Sequence, residues 1–367
     1  MFSTHVSCAG RGVTVSSLTR AVADWPLRYL GPWWSVTAAE GRVERLVRAD
    51  VSPDEALDAI GQVLGNPVAT SVRYAGEELV FLRRGTVVHA AQDGLAYRYT
   101  PGGELRIVGL RESEVAVAAV RLAREMLRGR LLADGWLLLR ASAVVGSDGR
   151  AVLVLGEEGA GKTTAAFLLA QVPGWSLLSD DRVLVRSDGE GRVRVLPWPS
   201  AAAVGFGLLE ACGWYEPVRE RLKCGELPHP TQRRQVTRAL LAGDRRPRRE
   251  ADGAELKVRL WPDQLRDWLG LSLAAHGHGV VSRLLFPMTR SYVRAGRLND
   301  TRRITTDDVI TASRDEQYPD VFGFTLSCTH PRRLVEAMSG LRQDSVLLGR
   351  DADGNRAFLL DLVSQPL

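Results

Sequence analysis

The chain of 367 residues is long enough for two or three domains with a large core. Its 45% hydrophobic and 25% charged content is that of a soluble globular protein. No apolar run approaches the ~18 residues a membrane span needs, and the first twenty residues lack the apolar core of a signal peptide. The net charge of +5 is uneven: residues 219–249 hold ten Arg or Lys against Glu220, Glu226 and Asp244, a local +7 that leaves −2 for everything else. The four cysteines, Cys8, Cys212, Cys224 and Cys328, show neither a C-x-x-C pair nor a disulfide framework. Reduced thiols in the cytoplasm are the expectation.

Residues 1–110 read as an accessory α+β domain. Ser52, Pro53 and Glu55 give a capping box with proline at the first helical position, Leu57, Ile60 and Leu64 share a helical face, and Gly65 stands where a C-cap belongs. Short strand-like runs follow at 70–74, 78–82, 86–90, 95–99 and 105–108, separated by Gly, Asp and Pro turns, as in an antiparallel meander. A helix is predicted over 112–127, ended by Gly129. A strand at 136–145, a turn at 146–149 and the apolar run 151–155 come next.

Residues 156–163 read Gly-Glu-Glu-Gly-Ala-Gly-Lys-Thr between that run and the helix-forming stretch 164–170. This is a complete G-x-x-x-x-G-K-T phosphate loop in the strand–loop–helix context the motif requires. Its backbone N–H groups and the positive end of the helix suit phosphate oxygens, Lys162 suits the β and γ phosphates, and Thr163 suits Mg²⁺. Only Lys162, Lys223 and Lys257 are lysine among 48 basic residues, so a chain biased towards arginine still places a compact ammonium in the loop.

A short strand at 175–178 leads into Asp180 and Asp181, 18 and 19 residues after Lys162. Adjacent aspartates at a strand end point to different sides, so one can face a metal and the other an acceptor. Asp307 and Asp308 read instead as a solvated turn or helix cap. The runs 182–186 and 192–196 form another hairpin. Hairpins around the loop predict a mixed sheet where a doubly wound fold would alternate strand and helix. Order resumes with a strand at 256–261, a helix from Pro262 to Gly270, an apolar stretch at 280–287 and a helix at 331–341 bearing Leu334, Ala337, Met338 and Leu341 on one side; His276 and His278 read as a polar turn.

The run Leu-Arg-Ala-Ser-Ala-Val-Val (139–145), the loop and Thr164, Leu-Leu-Ser-Asp-Asp (177–181) and Leu-Pro-Trp-Pro (196–199) together resemble the HPr kinase/phosphorylase superfamily. The similarity is greatest to its divergent HPr-kinase-related members, which share a nucleotide core with phosphoenolpyruvate carboxykinases. It spans roughly residues 111–345, with 346–367 as a C-terminal segment. The resemblance implies an α/β fold with a mixed sheet and an ATP cradle of Gly156, Glu157, Glu158, Gly159, Ala160, Gly161, Lys162, Thr163 and Thr164. It further implies Mg²⁺ on Thr163 and Asp181, with Asp180 as the base that receives the acceptor proton; the sequence alone does not order the roles of the two aspartates. Where relatives carry histidine this chain has Arg140, which can stabilise phosphoryl charge but cannot exchange protons near neutral pH. Relatives often form oligomers.

The acceptor implied is a hydroxyl. A Ser/Thr side chain of a small protein or ribosomal peptide comes first, a small molecule (serine, a sugar or an antibiotic) second, and an ATP sensor without transfer stands as the different class. The segment 219–249 reads as a solvated loop, or as a platform for an acidic or phosphate-bearing partner with Lys223 as a phosphate contact. Base stacking on nucleic acid wants aromatics, and the segment contains no Phe, Tyr or Trp. Lys257 reads as flanking a strand.

Overall fold

A computed structural model describes residues 1–38, 45–249, 253, 255–274, 277–300, 302–311, 318–325 and 331–365. His276 and Cys328 lie outside them; Cys8, Cys212 and Cys224 are free thiols. The chain is a mixed α/β protein with a nine-stranded and a ten-stranded sheet. It groups into two compact units, residues 1–137 with 310–329, and 138–309 with 330–367.

The first unit contains β1 (Phe2–Cys8), β2 (Arg11–Ser17), α1 (Arg20–Tyr29), β3 (Ser35–Ala38), β4 (Leu46–Val51), α2 (Pro53–Leu64), β5 (Thr70–Tyr74), β6 (Glu77–Arg84), β7 (Val87–Gln92), β8 (Leu95–Tyr99), β9 (Glu104–Gly109) and α3 (Glu112–Ala133). Strands β5 to β9 form the expected antiparallel meander. β4 pairs parallel with both β2 and β9, which joins the meander to the β1–β2 hairpin. The buried face of α2 is Ala56 and Val63 with Ala59 and Ile60 beside them, while Leu57 and Leu64 are exposed. Small residues let the helix approach the sheet closely, so the face predicted from the leucines is rotated from the real one. Ser52 makes no side-chain cap bond; Pro53, Asp54 and Glu55 in the first turn carry the helix start.

Helix α3 runs through Gly129 to Ala133 and packs on α1, β2 and β4 of the first unit. A Cβ at Gly129 would lie 2.2 Å from the Phe324 carbonyl oxygen. That glycine therefore permits a close backbone approach and does not end the helix. The returning segment 318–325 inserts Phe322 edge-on among Tyr74, Tyr97 and Tyr99.

The elements of the rest of the chain are β10 (Leu137–Leu139), β11 (Ala141–Gly146), β12 (Arg150–Leu155), α4 (Lys162–Ala170), β13 (Trp175–Ser179), β14 (Val183–Ser187), β15 (Val193–Pro197), β16 (Ala202–Val204), α5 (Phe206–Ala211), α6 (Tyr215–Lys223) and α7 (Arg234–Ala242). They continue as β17 (Arg248–Arg249), β18 (Glu255–Leu256), β19 (Val258–Leu260), α8 (Pro262–Leu269), β20 (Gly279–Thr289), β21 (Gly296–Arg297), β22 (Val309–Ile310), α9 (Pro331–Ser339), β23 (Arg342–Leu348) and α10 (Ala352–Ser364). The strand predicted over 136–145 is two strands, divided at Arg140.

β11 pairs antiparallel with both β12 and β13, so the latter two run in the same direction. β20 lies parallel to β12, and β23 parallel to β20. Four strands thus deliver their C-terminal ends to one end of the sheet, where α/β proteins place ligands. Helix α4 is held there by Ala165 to Ala170, all buried; Phe167, Leu168 and Leu169 each contribute about 2 kcal/mol by burial. It also packs on α10, a helix that sequence periodicity did not single out.

Candidate functional site

The loop after β12 owes its shape to three glycines at positive φ: Gly156 at 154°, Gly159 at 78° and Gly161 at 106°. Gly161 has a second constraint, since a Cβ there would lie 2.6 Å from Thr289 Cγ2 at the end of β20. Thr289 Oγ1 donates to the Gly159 carbonyl at 3.2 Å, fixing the loop against that strand. The first i−4 bond of α4 runs from the Ala165 amide to the Gly161 carbonyl at 2.9 Å, so the amides of Lys162, Thr163 and Thr164 precede the helical ladder. Glu157, Glu158 and Gly159 are exposed, and Ala160 to Thr164 are half-buried.

Lys162 Nζ donates to the carbonyls of Gly156 at 2.8 Å and Glu157 at 2.9 Å. It thereby folds over its own loop. Burial lowers its pKa, with Asp181 and Glu158 opposing that fall and Arg140 and Lys257 adding to it.

Asp180 follows the last residue of β13 and is buried. Four hydroxyl and amide contacts fix the turn. Ser142 Oγ on β11 donates to the Asp180 carbonyl, Ser179 Oγ lies 2.5 Å from the Arg182 carbonyl and 3.2 Å from that of Trp198, and the Ala203 amide on β16 donates to Asp180 Oδ2 at 3.0 Å. Oδ1 is buried and has no hydrogen-bond partner among the described residues. Burial pushes the Asp180 carboxyl up to about 6 against the Ala203 bond; Asp181 pushes it further, and the Thr163 hydroxyl and Lys257 oppose. An unpartnered buried carboxylate oxygen costs stability, and such sites recur where chemistry is done.

Asp181 is different in kind. Its side chain is 53% exposed, with Oδ2 3.5 Å from Nε of the buried Arg182. Arg140 is exposed in the break between β10 and β11, and its amide donates to the Asp308 carbonyl at 3.3 Å. Lys162, Thr163, Asp180, Asp181 and Arg140 are therefore gathered at one end of the sheet, linked by the fields they exert on Lys162 and Asp180.

Sequence reasoning missed Lys257 as a member of this group. It flanks β19 as expected, but β19 pairs with β16, the strand whose Ala203 amide holds Asp180. Two of the three lysines in the chain thus meet here, and that scarcity was the one signal available.

The third, Lys223, lies 2.8 Å from Glu220 in an ordinary helical ion pair. The segment 219–249 is not a continuous loop: it holds the end of α6, all of α7 and β17. Asp308 is a capping residue, accepting from the Thr305 amide at 2.9 Å and from Arg302 at 2.7 Å, but it is buried and not solvated.

Among the described residues no group of three or more His, Cys, Asp or Glu side chains could hold a metal ion by itself. Mg²⁺ in nucleotide sites needs only one or two carboxylates plus substrate phosphates. The half-buried Thr163 hydroxyl and the exposed carboxylate of Asp181 fit that smaller requirement. No helix among the described residues is long and apolar enough to cross a membrane. No protein-family model matches the chain, and no curated protein matches it.

Proposed function

We propose that the protein is a Mg²⁺-dependent kinase of the HPr-kinase-like type, transferring the γ-phosphoryl group of ATP to a hydroxyl. The observation that carries this reading is the buried Asp180, with a carboxyl at about 6 and an open Oδ1, beside a glycine loop that ends in Lys162 and Thr163. A neutral-range carboxylate next to a phosphate cradle suits the removal of a proton from an alcohol. The resemblance of residues 111–345 to that superfamily points the same way, as does the mixed sheet.

The loop amides of 156–163 and the start of α4 hold the triphosphate, and Lys162 exchanges its bonds to the Gly156 and Glu157 carbonyls for the β and γ phosphates. Asp180 accepts the acceptor's proton as the acceptor oxygen bonds to the γ-phosphorus. The bond from that phosphorus to the β–γ bridging oxygen breaks, and ADP leaves with the electron pair. Arg140 and Lys257 stabilise charge on the transferred group without exchanging protons. Thr163 and Asp181 are the groups that would hold Mg²⁺, which neutralises phosphate charge when bound.

A Ser/Thr side chain of a small protein or ribosomal peptide is the leading acceptor by family analogy, and a cytoplasmic supply of ATP suits the reading. Incubation with γ-labelled ATP and Mg²⁺ against serine-containing peptides and small hydroxylated metabolites tests it. Label in a peptide supports the full reading, and label in a metabolite keeps the kinase and moves the acceptor class. ATP binding without transfer to either pool, unaltered by Asp180→Asn, would make the protein a sensor.

A further inference from the structure

Tyr292 is 89% exposed, the most exposed of the large hydrophobic side chains described. It also has a φ of 62°, a left-handed backbone conformation that a bulky residue rarely adopts. An exposed aromatic ring kept in a disfavoured conformation invites a functional explanation, and its surroundings supply one.

Tyr292 follows β20 by three residues, a reach of at most about 10 Å of chain from Thr289. Thr289 is the residue that touches the loop at Gly159 and Gly161. The neighbouring strand β23 ends at Leu348, opposite Thr289 in register. The Arg290 amide donates to the Leu348 carbonyl at 3.0 Å. A Cβ at Gly349 would lie 2.0 Å from the Val293 carbonyl oxygen, so the two chains run in close contact there. Buried Asn355 bonds both the amide and the carbonyl of Gly349, at 3.0 and 2.9 Å. Arg350 then places its guanidinium 4.9 Å from the Tyr292 ring centroid, with Nη1 3.4 Å from the phenolic oxygen. A guanidinium thus backs one face of the ring, on a base held by two adjacent strands, at the rim of the glycine loop.

We propose that the open face of Tyr292, backed by Arg350, is the stacking platform for the purine base of the bound nucleotide. This rests on the reading of loop 156–163 as the triphosphate site. Aromatic rings bind bases through their π-faces with little discrimination between bases, and a cation on the far face adds to the sandwich. Phosphates in the loop and the base on Tyr292 would lay the nucleotide across the ends of β12, β20 and β23.

The test separates the base from the phosphates by titrating Mg²⁺·ATP and Mg²⁺·tripolyphosphate into wild type, Tyr292→Gly and Tyr292→Trp. Glycine accepts the positive φ, so Tyr292→Gly melts no lower than wild type. It should weaken ATP roughly tenfold or more, leave tripolyphosphate unchanged, and be rescued by Tyr292→Trp. Unchanged ATP affinity in Tyr292→Gly, or equal weakening of both ligands, overturns the platform while leaving the loop in place. Wild type that binds neither ligand overturns the platform together with the loop reading.

Discussion

Two concentrations of charge lie among residues 138–309, and they are built in opposite ways. In 219–249 six of the ten cations are matched by carboxylates. Arg219 pairs with Glu216, Arg221 with Glu226, Lys223 with Glu220, Arg245 with Glu210 and Glu216, and Arg246 and Arg248 with Asp244. Glu210 and Glu216 stand outside the segment, so its local +7 overstates the charge it offers a partner. Arg246 holds the Asp244 carboxyl down at about 2, the mark of a satisfied ion pair. At the ends of β12 and β13 the reverse holds. Among the described residues Lys162 bonds only carbonyls of its own loop, and the Asp180 carboxyl is pushed up with Oδ1 left without a partner. Charge density therefore does not mark a site in this protein. The candidate site stands out instead by the raised carboxyl of the buried Asp180 beside the glycine loop.

The contrast can be broken first at Lys162. Lys162→Ala should weaken ATP binding roughly a hundredfold or more, since charge-assisted bonds to phosphate are the strong ones; calorimetric titration measures it.

Asp180→Asn should leave ATP affinity within about threefold and lower transfer by about 10²–10⁴-fold. The same variant should gain stability. A carboxyl raised from 3.8 to about 6 favours the protonated folded state, so wild-type stability falls as pH rises from about 4 through 6. Asp180→Asn escapes that fall, and denaturant unfolding should show it up to about 2 kcal/mol ahead of wild type at pH 8 and level with it near pH 4.

The pH profile sharpens the comparison further. The acid limb of kcat/KM should lie near 6, the ionisation of Asp180. Lys257→Met removes a cation that holds this carboxyl down, so the limb should move to higher pH; an unmoved limb would place Lys257 outside the site. The smallest effect belongs to the matched segment. Arg245→Ala should leave ATP binding unchanged and lower the melting temperature slightly, by an amount that shrinks in high salt.

What was legible in the sequence is local. The glycine spacing of 156–163 and the hairpins at 146–149 and 187–191 appear in the structure where the residues put them, because turns and loop glycines are decided by their own φ and ψ. Asp180 was legible as a strand end, but its burial was not, since this depends on Ala203 and Ser142 arriving from other strands. The arrival of Lys257 beside it depends on β16 pairing with β19 across more than fifty residues. The true face of α2, the run of α3 through Gly129 and the role of β23 and α10 in supporting the loop are likewise set by tertiary contacts. Tyr292 carries no sequence signal at all, because a lone tyrosine in a loop acquires meaning only from what stands behind it.

The most direct measurement of the central claim is parallel titration of Mg²⁺·ATP into wild type, Lys162→Ala and Asp180→Asn. Saturable binding in wild type and Asp180→Asn, with loss in Lys162→Ala, is the predicted result. Equal binding in all three proteins, or binding in none, would contradict the assignment of residues 156–163 as the triphosphate cradle.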